Sequence, residues 1–415
     1  NSRISLSNND DGVSNTIFGK TAGDPDGAGD QNVFIGELAG GSGTQTDAAD
    51  NNVAIGYNTL TALTTGADNV AIGAHCGKSE TSGSRNVYIG HNCADRIDAG
   101  ENENVAIGQS ALGNSAAGAS GVTIIGYGAV VGAITADYTV AIGHSALAAI
   151  TSGAGNTAVG YQSLDATDDG EYNTSVGYTS LSANCGDNNT ALGAQAGMAL
   201  TSADNTFVGA RAGKECISNT DNTAMGYNAL CNIGHADGDN NVAIGHSAMV
   251  SGGTVADNYA ANNVAVGYES LRDILNGGSN VAIGTYAGAN VEDSSSSVLI
   301  GYQAGVSIVD GAGGTVAIGR DALSNITVAG NVALGYKALQ QHTTGQRNIA
   351  IGYGAMDGTG QDDSPTSTDN VFIGYDAGGG AWDNGEDDTD DSNFNVGIGN
   401  YVMDAAMDGA LRNVA

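Results

Sequence analysis

Residues 52–56 read Asn-Val-Ala-Ile-Gly, and the same five letters return at 69–73 and again at 104–108. Related copies bring the total to 22 along the 415-residue chain. The first motif glycine, Gly19, and the last, Gly399, are separated by 380 residues, a mean of about 18 per step. A period this short, running from end to end, is typical of a solenoid whose coils bury apolar surface by stacking on their neighbours.

Within each copy the side chains alternate, counted here from the motif glycine as position zero. Position −3 is β-branched and position −1 is apolar in all 22 copies, while position −2 between them is usually Ala. This period-two pattern predicts a β-strand with two unlike faces. We expect positions −3 and −1 to fill the core and position −2 to allow close approach on the other face. Small residues at +3 and apolar residues at +4 predict a second short strand after the glycine. We expect this second strand to turn a side chain inward as well.

Position −4 is Asn in 18 of the 22 copies, the exceptions being Val122, Thr139, Ser297 and Thr315. An Asn that recurs at one point of every coil is expected to stack into a ladder of amides, and it also tolerates the left-handed backbone of a tight corner. The constant glycine marks either a positive φ angle or a close approach of another backbone. The residues that we take to represent this structural ladder are Asn52, Asn69, Asn86, Asn104, Gly56, Gly73, Gly90 and Gly108.

Two features are candidates for contact with a partner. Position +1 is Tyr ten times and His three times, which predicts an aromatic stripe that includes Tyr57, Tyr161 and Tyr178. The stripe fits either packing along an edge with the hydroxyls in water or a surface on which sugar rings stack. The only tryptophan, Trp382, lies in the long acidic insertion 378–393 and is either a contact residue or a cap on the local core.

Composition excludes several classes of function. With 12 basic and 45 acidic residues the net charge is −33, so the chain lacks the clustered cations that nucleic acid or an anionic membrane surface requires. No apolar stretch is long enough to predict membrane insertion. The acidic loops are either solvated or weak calcium sites, for which Asp387, Asp388, Asp390 and Asp391 are the candidates. We find no catalytic motif and expect neither an enzyme nor another cofactor.

Two cysteines, Cys76 and Cys93, share position +3 of adjacent coils. This placement fits either a disulfide or a pair of small buried residues, and the second interpretation is the simpler.

The motif Asn-Val-Ala-Ile-Gly-x-x-[Ala/Ser] resembles the head repeat of trimeric autotransporter adhesins and repeats in bacteriophage tail fibres. The resemblance covers residues 15–400. It implies a left-handed parallel β-roll with two strands per coil, three chains side by side, and glycines at the contacts between chains. A coil of about 18 residues also fits a self-sufficient monomeric solenoid.

Together these observations predict an all-β, parallel β-solenoid of about 22 coils of 16–25 residues, forming a side-by-side homotrimer. Residues 1–14 are expected to lead into a continuous rod over 15–415, on the order of 100 Å long, that stops inside a 23rd repeat. The expected function is the shaft of a phage tail fibre in a virion, presenting elements that bind a host glycan or protein. A bacterial surface adhesin or extracellular matrix filament is the alternative, and an ice- or crystal-binding solenoid a minor one.

Overall fold

The structure is a computed structural model with side chains. It describes residues 13–23, 28–41, 44–97, 100–113, 118–132, 134–234, 237–251, 258–308, 311, 313–326, 328–359, 367–380, 392–405 and 410–415. Within these ranges it is all-β and contains no helix, and every motif copy supplies one strand of three residues. The contacts divide the chain into Asn1–Asp204 and Asn205–Ala415, called unit 1 and unit 2. Each unit is a parallel β-solenoid, so the predicted fold class is confirmed at that level.

The strands are numbered in chain order. Unit 1 holds β1 (Thr16–Phe18), β2 (Val33–Ile35), β3 (Val53–Ile55), β4 (Val70–Ile72), β5 (Val87–Ile89), β6 (Val105–Ile107), β7 (Thr123–Ile125), β8 (Val140–Ile142), β9 (Thr157–Val159), β10 (Thr174–Val176) and β11 (Thr190–Leu192). Unit 2 holds β12 (Thr206–Val208), β13 (Thr223–Met225), β14 (Val242–Ile244), β15 (Val264–Val266), β16 (Val281–Ile283), β17 (Val298–Ile300), β18 (Val316–Ile318), β19 (Val332–Leu334), β20 (Ile349–Ile351), β21 (Val371–Ile373) and β22 (Val396–Ile398).

Within each unit successive strands pair in parallel, and identical motif positions meet. Between β3 and β4, for example, Val53 lies beside Val70 and Ile55 beside Ile72. The Val53 amide donates to the carbonyl of Asn69 over 2.8 Å, which continues the ladder into the corner before the strand. In-register stacking therefore places each motif position in a column that runs along the unit.

The prediction for the two strand faces is wrong, and the structure reverses it. Position −2 is the buried one, as Ala54 and Ala71 show with no exposed surface, whereas positions −3 and −1 are half-buried or exposed. Successive side chains of a strand point to opposite faces, so when the middle one of three points into the coil, its two neighbours point away from it. We call position −2 the inner column and positions −3 and −1 the outer columns.

The predicted second strand is also absent from the described residues. The segment after the motif glycine consists of turns, and its residues at +2 and +4 have positive φ angles, such as 60° at Asn58 and 45° at Leu60. The inward turn of the side chains at +3 and +4 is nevertheless as predicted, because Ala39 and Leu60 are fully buried. Sequence reasoning overlooked position +7, where Leu63 and Ile97 complete the core.

The size of the inner-column residue is matched by the residue at +4 of the same coil. In ten of the 13 coils with Ala in the inner column, position +4 is Leu or Met, such as Leu60 in the coil of Ala54. The coils of Ala71, Ala191 and Ala282 have Gly there instead, and at Gly77 the space is taken by Leu60 and Tyr88 of the neighbouring coils. Where it has Phe, as at Phe34, position +4 is glycine, and a Cβ on Gly40 would lie 2.8 Å from the Phe34 ring. The same match joins Phe207 to Gly213 and Phe372 to Gly378. In the three Phe coils, the large side chain at −2 thus occupies the space that a side chain at +4 fills in most Ala coils.

The motif glycine is explained within one chain. Gly73 has a φ angle of 134°, and a Cβ on it would collide with the carbonyl oxygen of Gly90 in the next coil. The close approach that requires glycine here is between coils of the same chain, and contact between chains at this column stays a prediction.

Candidate functional site

The asparagines at position −4 form a buried ladder. The Asn69 backbone amide donates to Asn52 Oδ1 over 3.0 Å, and the Asn69 side-chain amide donates to the same oxygen over 3.0 Å and to the Gly83 carbonyl over 2.8 Å. Asn86 and Asn104 continue the series, each donating its backbone amide to Oδ1 of the preceding Asn. All four residues are fully buried, so they hold corners of the coil and cannot touch a ligand.

The ladder changes where Asn is replaced. Val122 still donates its backbone amide to Asn104 Oδ1 over 3.0 Å, but its own side chain offers no oxygen to the next coil. At the other interruption, the Thr315 amide reaches Ser297 Oγ at 3.5 Å, longer than the usual ladder bond. The Val122 coil therefore lacks the side-chain hydrogen bonds that the Asn coils make.

Sequence reasoning missed a second ladder, two residues before the first. At position −6, Asp50 accepts the Asp30 amide over 2.6 Å, Asn102 accepts the Ser84 amide over 2.9 Å, and Asp137 accepts the Ser120 amide over 2.8 Å. The available signal was the recurrence of Asp, Asn and Ser at this position, which are residues that readily cap backbone amides in turns. Part of the acidity of the chain is thus structural.

The outer columns present large apolar side chains to the surface. Ile72 keeps 37% of its surface exposed, Ile283 40% and Met225 47%. The neighbouring Val residues at −3 are half-buried in most coils. The −1 column is apolar in every coil, whereas the −3 column is Val or Ile in 15 coils and Thr in seven. Since the columns run from coil to coil in register, each unit carries an apolar strip along −1 with Val, Ile or Thr beside it.

The aromatic residues at +1 stack on one another and form what we call the ring ladder. In unit 1, Tyr161 and Tyr178 lie 5.3 Å apart with ring planes 10° from parallel, and His144 lies 5.3 Å from Tyr161. Tyr57 belongs to a shorter run and contacts His75 edge-on at 5.2 Å. Because many of these rings face one another along the column, they turn mainly edges and hydroxyls to solvent.

In unit 2 the ring ladder runs from Tyr227 to Tyr401 without a missing step. Where position +1 lacks a ring, position +2 supplies one: Tyr286 fills the step beside Thr285 and lies 5.4 Å from Tyr268. At one step the filler is Arg320, whose guanidinium carbon lies 5.3 Å from the centre of the Tyr302 ring and 5.8 Å from that of Tyr336. The members of this run are Tyr227, His246, Tyr268, Tyr286, Tyr302, Arg320, Tyr336, Tyr353, Tyr375 and Tyr401.

One group of ionisable side chains lies inside the coils of unit 1. Glu80 occupies the +7 column, is fully buried, and accepts the Gly83 amide over 2.6 Å. Burial raises the pKa of its carboxyl to about 7, and the charge of Glu101 adds to the rise. The Tyr88 hydroxyl lies 3.4 Å from Glu80 Oε2, and burial raises the pKa of Tyr88 well above its usual value. The group has no access to solvent and offers no entry for a substrate.

The remaining candidates do not assemble into a reactive centre. Among the described residues, no group of three or more His, Cys, Asp or Glu side chains is placed to hold a metal ion. Trp382 and the calcium candidates Asp387, Asp388, Asp390 and Asp391 lie outside the described residues. All five cysteines are free and buried, and hydrogen bonding to Cys93 together with burial raises the pKa of Cys76.

No helix in the described part of the chain is long and apolar enough to cross a membrane. No protein-family model matches the chain, and no curated protein matches it either.

Proposed function

We propose that this chain is a structural and adhesive rod, the shaft of a phage tail fibre, built as a side-by-side homotrimer. The observation that carries the proposal is the apolar strip formed by the outer columns in each unit. A soluble protein that leaves such a strip uncovered faces a strong tendency to aggregate, so we expect other copies of the chain to cover it.

The area of the strand face can be estimated from its geometry. A width of three strand residues and a rise of about 4.8 Å per coil give roughly 500 Å² for the 11 strands of one unit. The two units together offer about 1,000 Å² per chain, and in a trimer this area is shared between two neighbours, about 500 Å² each, compared with about 800 Å² per partner in a standard protein interface. The proposed trimer therefore requires contacts beside the strip as well as the strip itself.

The resemblance of the repeat to phage fibres and adhesin heads supports three copies and a location on a virion. In this proposal the rod holds receptor-binding elements, including the insertion with Trp382, away from the surface that carries it, and the receptor is a host glycan or protein. The high negative charge keeps the assembled rod soluble. A bacterial surface adhesin or matrix filament would also hold binding elements away from a surface on such a rod, and it is the second candidate. The ice-binding alternative loses its basis, because the Asn column is buried.

The proposed role as a rod can be tested by a deletion that removes whole coils and keeps the strand register of the others. Deletion of residues 57–143 removes five whole motif copies and joins Gly56 to His144, which follows an equivalent glycine. We expect the shortened protein to fold and to assemble, and its particles in electron micrographs to be shorter by about 24 Å, five times the coil rise. A matched deletion of residues 57–139, which breaks the register, is expected to misfold. Compact particles from the intact chain would contradict the proposal.

A further inference from the structure

Two tyrosines of unit 1 lie outside the ring ladder, at position −5, the residue before the buried corner. Tyr138 and Tyr172 occupy this position two coils apart, and Gly155 has it in the coil between them. A Cβ on Gly121, the −5 residue before Tyr138, would lie 3.0 Å from Cδ1 of that ring. A Cβ on Gly155 would likewise lie 2.8 Å from Cδ1 of Tyr172. Each ring therefore leans toward the preceding coil and covers its glycine.

These two residues are the most exposed tyrosines in the described part of the chain. Tyr138 keeps 77% of its surface exposed and Tyr172 63%. Tyr353, which has a ring on either side, keeps 50%, and no tyrosine of the ring ladder exceeds 56%. All the contacts of Tyr138 together thus cover less than a quarter of its surface, so its ring is open on the side away from Gly121.

The −5 residue of the following coil does not cover either ring. After Tyr138 that residue is Gly155, which has no side chain. After Tyr172 it is Asn188, whose side-chain amide donates to Asp204 Oδ1 over 3.1 Å and so turns toward the coil beyond. All of these residues belong to unit 1, and the two rings lean in the same direction along it.

An acidic residue directly precedes each ring. Asp137 and Glu171 occupy position −6 and are half-buried. Asp137 Oδ1 accepts the Ser120 amide over 2.8 Å, while the ring of Tyr138 contacts the next residue, Gly121. The carboxylate and the ring therefore reach the same point of the preceding coil. Since a carboxylate has two oxygens with several lone pairs, it can also accept hydrogen bonds from hydroxyl groups of a ligand on the ring.

We propose that Tyr138 and Tyr172 bind an extended neutral glycan that lies along unit 1. Two coil rises separate the rings by about 10 Å, which is close to the length of a disaccharide unit in an extended β-linked glycan. The apolar face of a sugar packs on an aromatic ring while its hydroxyls bond to polar groups at the edge. The two acids and the net charge of −33 disfavour anionic glycans. This inference rests on the proposed adhesive role and adds a glycan contact on the rod itself.

The test is calorimetric titration of the full chain with cellohexaose, mannohexaose and chitohexaose, three neutral β-linked hexasaccharides. We expect at least one of them to bind. Tyr138→Ala and Tyr172→Ala should each weaken its binding about two- to tenfold, the effect of one aromatic contact, and the double variant should abolish binding.

A second variant displaces a ring without removing it. Gly155→Asn places a Cβ against the ring of Tyr172, and we expect it to weaken binding as much as Tyr172→Ala does. The fold should persist, because Asn occupies position −5 with a positive φ angle at Asn51 and Asn262. Gly314→Asn is the matched control: Gly314 has the same φ angle of 71°, but a Cβ there would meet nothing within 4 Å. It should leave glycan binding unchanged.

Tyr178→Ala removes an exposed tyrosine of the ring ladder instead, and it too should leave glycan binding unchanged. Circular dichroism verifies that each variant folds, and light scattering gives its mass. Binding of none of the hexasaccharides, or equal binding by all variants, would overturn the inference. A lower mass for Tyr138→Ala would also overturn it, because another copy of the chain would then cover the ring. Compact particles from the intact chain would instead contradict the rod and leave the glycan result standing.

Discussion

The inner and outer columns of the same strands are built from opposite residue types. The inner column is mostly alanine and is completely buried, whereas the outer columns carry Val and Ile and remain partly exposed. In an ordinary two-layer protein the larger apolar side chains would point into the core. The inner column does accept large side chains, such as Phe34 and Phe207, so the orientation of the strand places the Val and Ile residues outside, and further burial of them takes a surface beyond the coil.

The most severe test of this difference places the same charge on either side of one strand. Ala71→Asp puts a carboxylate into the closed interior, and we expect it to lower the free energy of unfolding by about 4 kcal/mol or more. Ile72→Asp, one residue later, points outward, and we expect a loss of only about 1–2 kcal/mol for the isolated chain. Urea unfolding followed by circular dichroism compares the two. Equal losses would show that the outer columns belong to the chain's own core.

The volume match inside the coil can be broken and then repaired. Phe207→Ala leaves a cavity opposite Gly213 and should cost about 3–5 kcal/mol. Adding Gly213→Leu recreates the pairing of Ala224 with Leu230 in the next coil, where Leu230 has a φ angle of 53°. We therefore expect the double variant to recover most of the loss in thermal unfolding. Gly213→Leu alone should be destabilising, because Phe207 already fills its space.

The buried carboxylate of Glu80 makes unit 1 sensitive to pH. Its pKa is raised on folding from 4.5 to about 7, so the folded state favours the protonated form. The stability that this protonation provides is fully present below pH 4.5 and is lost as the pH rises to about 7, a loss of about 3 kcal/mol. Hydrogen exchange of the amides around Gly83 should therefore speed up over this range. Glu80→Gln should remove the pH dependence there, and a profile identical to that of the unaltered chain would contradict the assignment.

The interrupted Asn ladder gives the smallest expected effect. Val122→Asn supplies a side-chain oxygen where there is none, and Thr139→Asn replaces a hydroxyl with the longer amide of the ladder; both sites are buried like their Asn counterparts. We expect each substitution to raise the free energy of unfolding by about 1 kcal/mol, the net value of a buried hydrogen bond. Chemical unfolding measures the gain, and Asn69→Val serves as the reciprocal loss.

The sequence predicted those features that depend on repetition. A recurring Asn and a recurring Gly fix the register, so the strands, their parallel pairing and the buried amide ladder follow from the spacing alone. The direction of the side chains did not follow, because alternation over three residues fits two orientations equally well. That Ala54 lies inside and Ile55 outside is decided by the wall at +3 and +4, which folds as turns with positive φ angles at Asn58 and Leu60. The same turn lets a residue at +2, such as Tyr286, take a place in the ring ladder where +1 has no ring.

The measurement that bears most directly on the account is the solution mass of the intact chain by light scattering after size exclusion. One chain has a mass of 41.0 kDa, and three times 41.0 is 123 kDa. If two further copies cover the outer columns, the mass is near 123 kDa, and charged substitutions at Ile72 and Ile283 lower it toward 41.0 kDa while the fold persists. A monodisperse species near 41.0 kDa for the unaltered chain would contradict the account, because the apolar strip would then be stable in water uncovered.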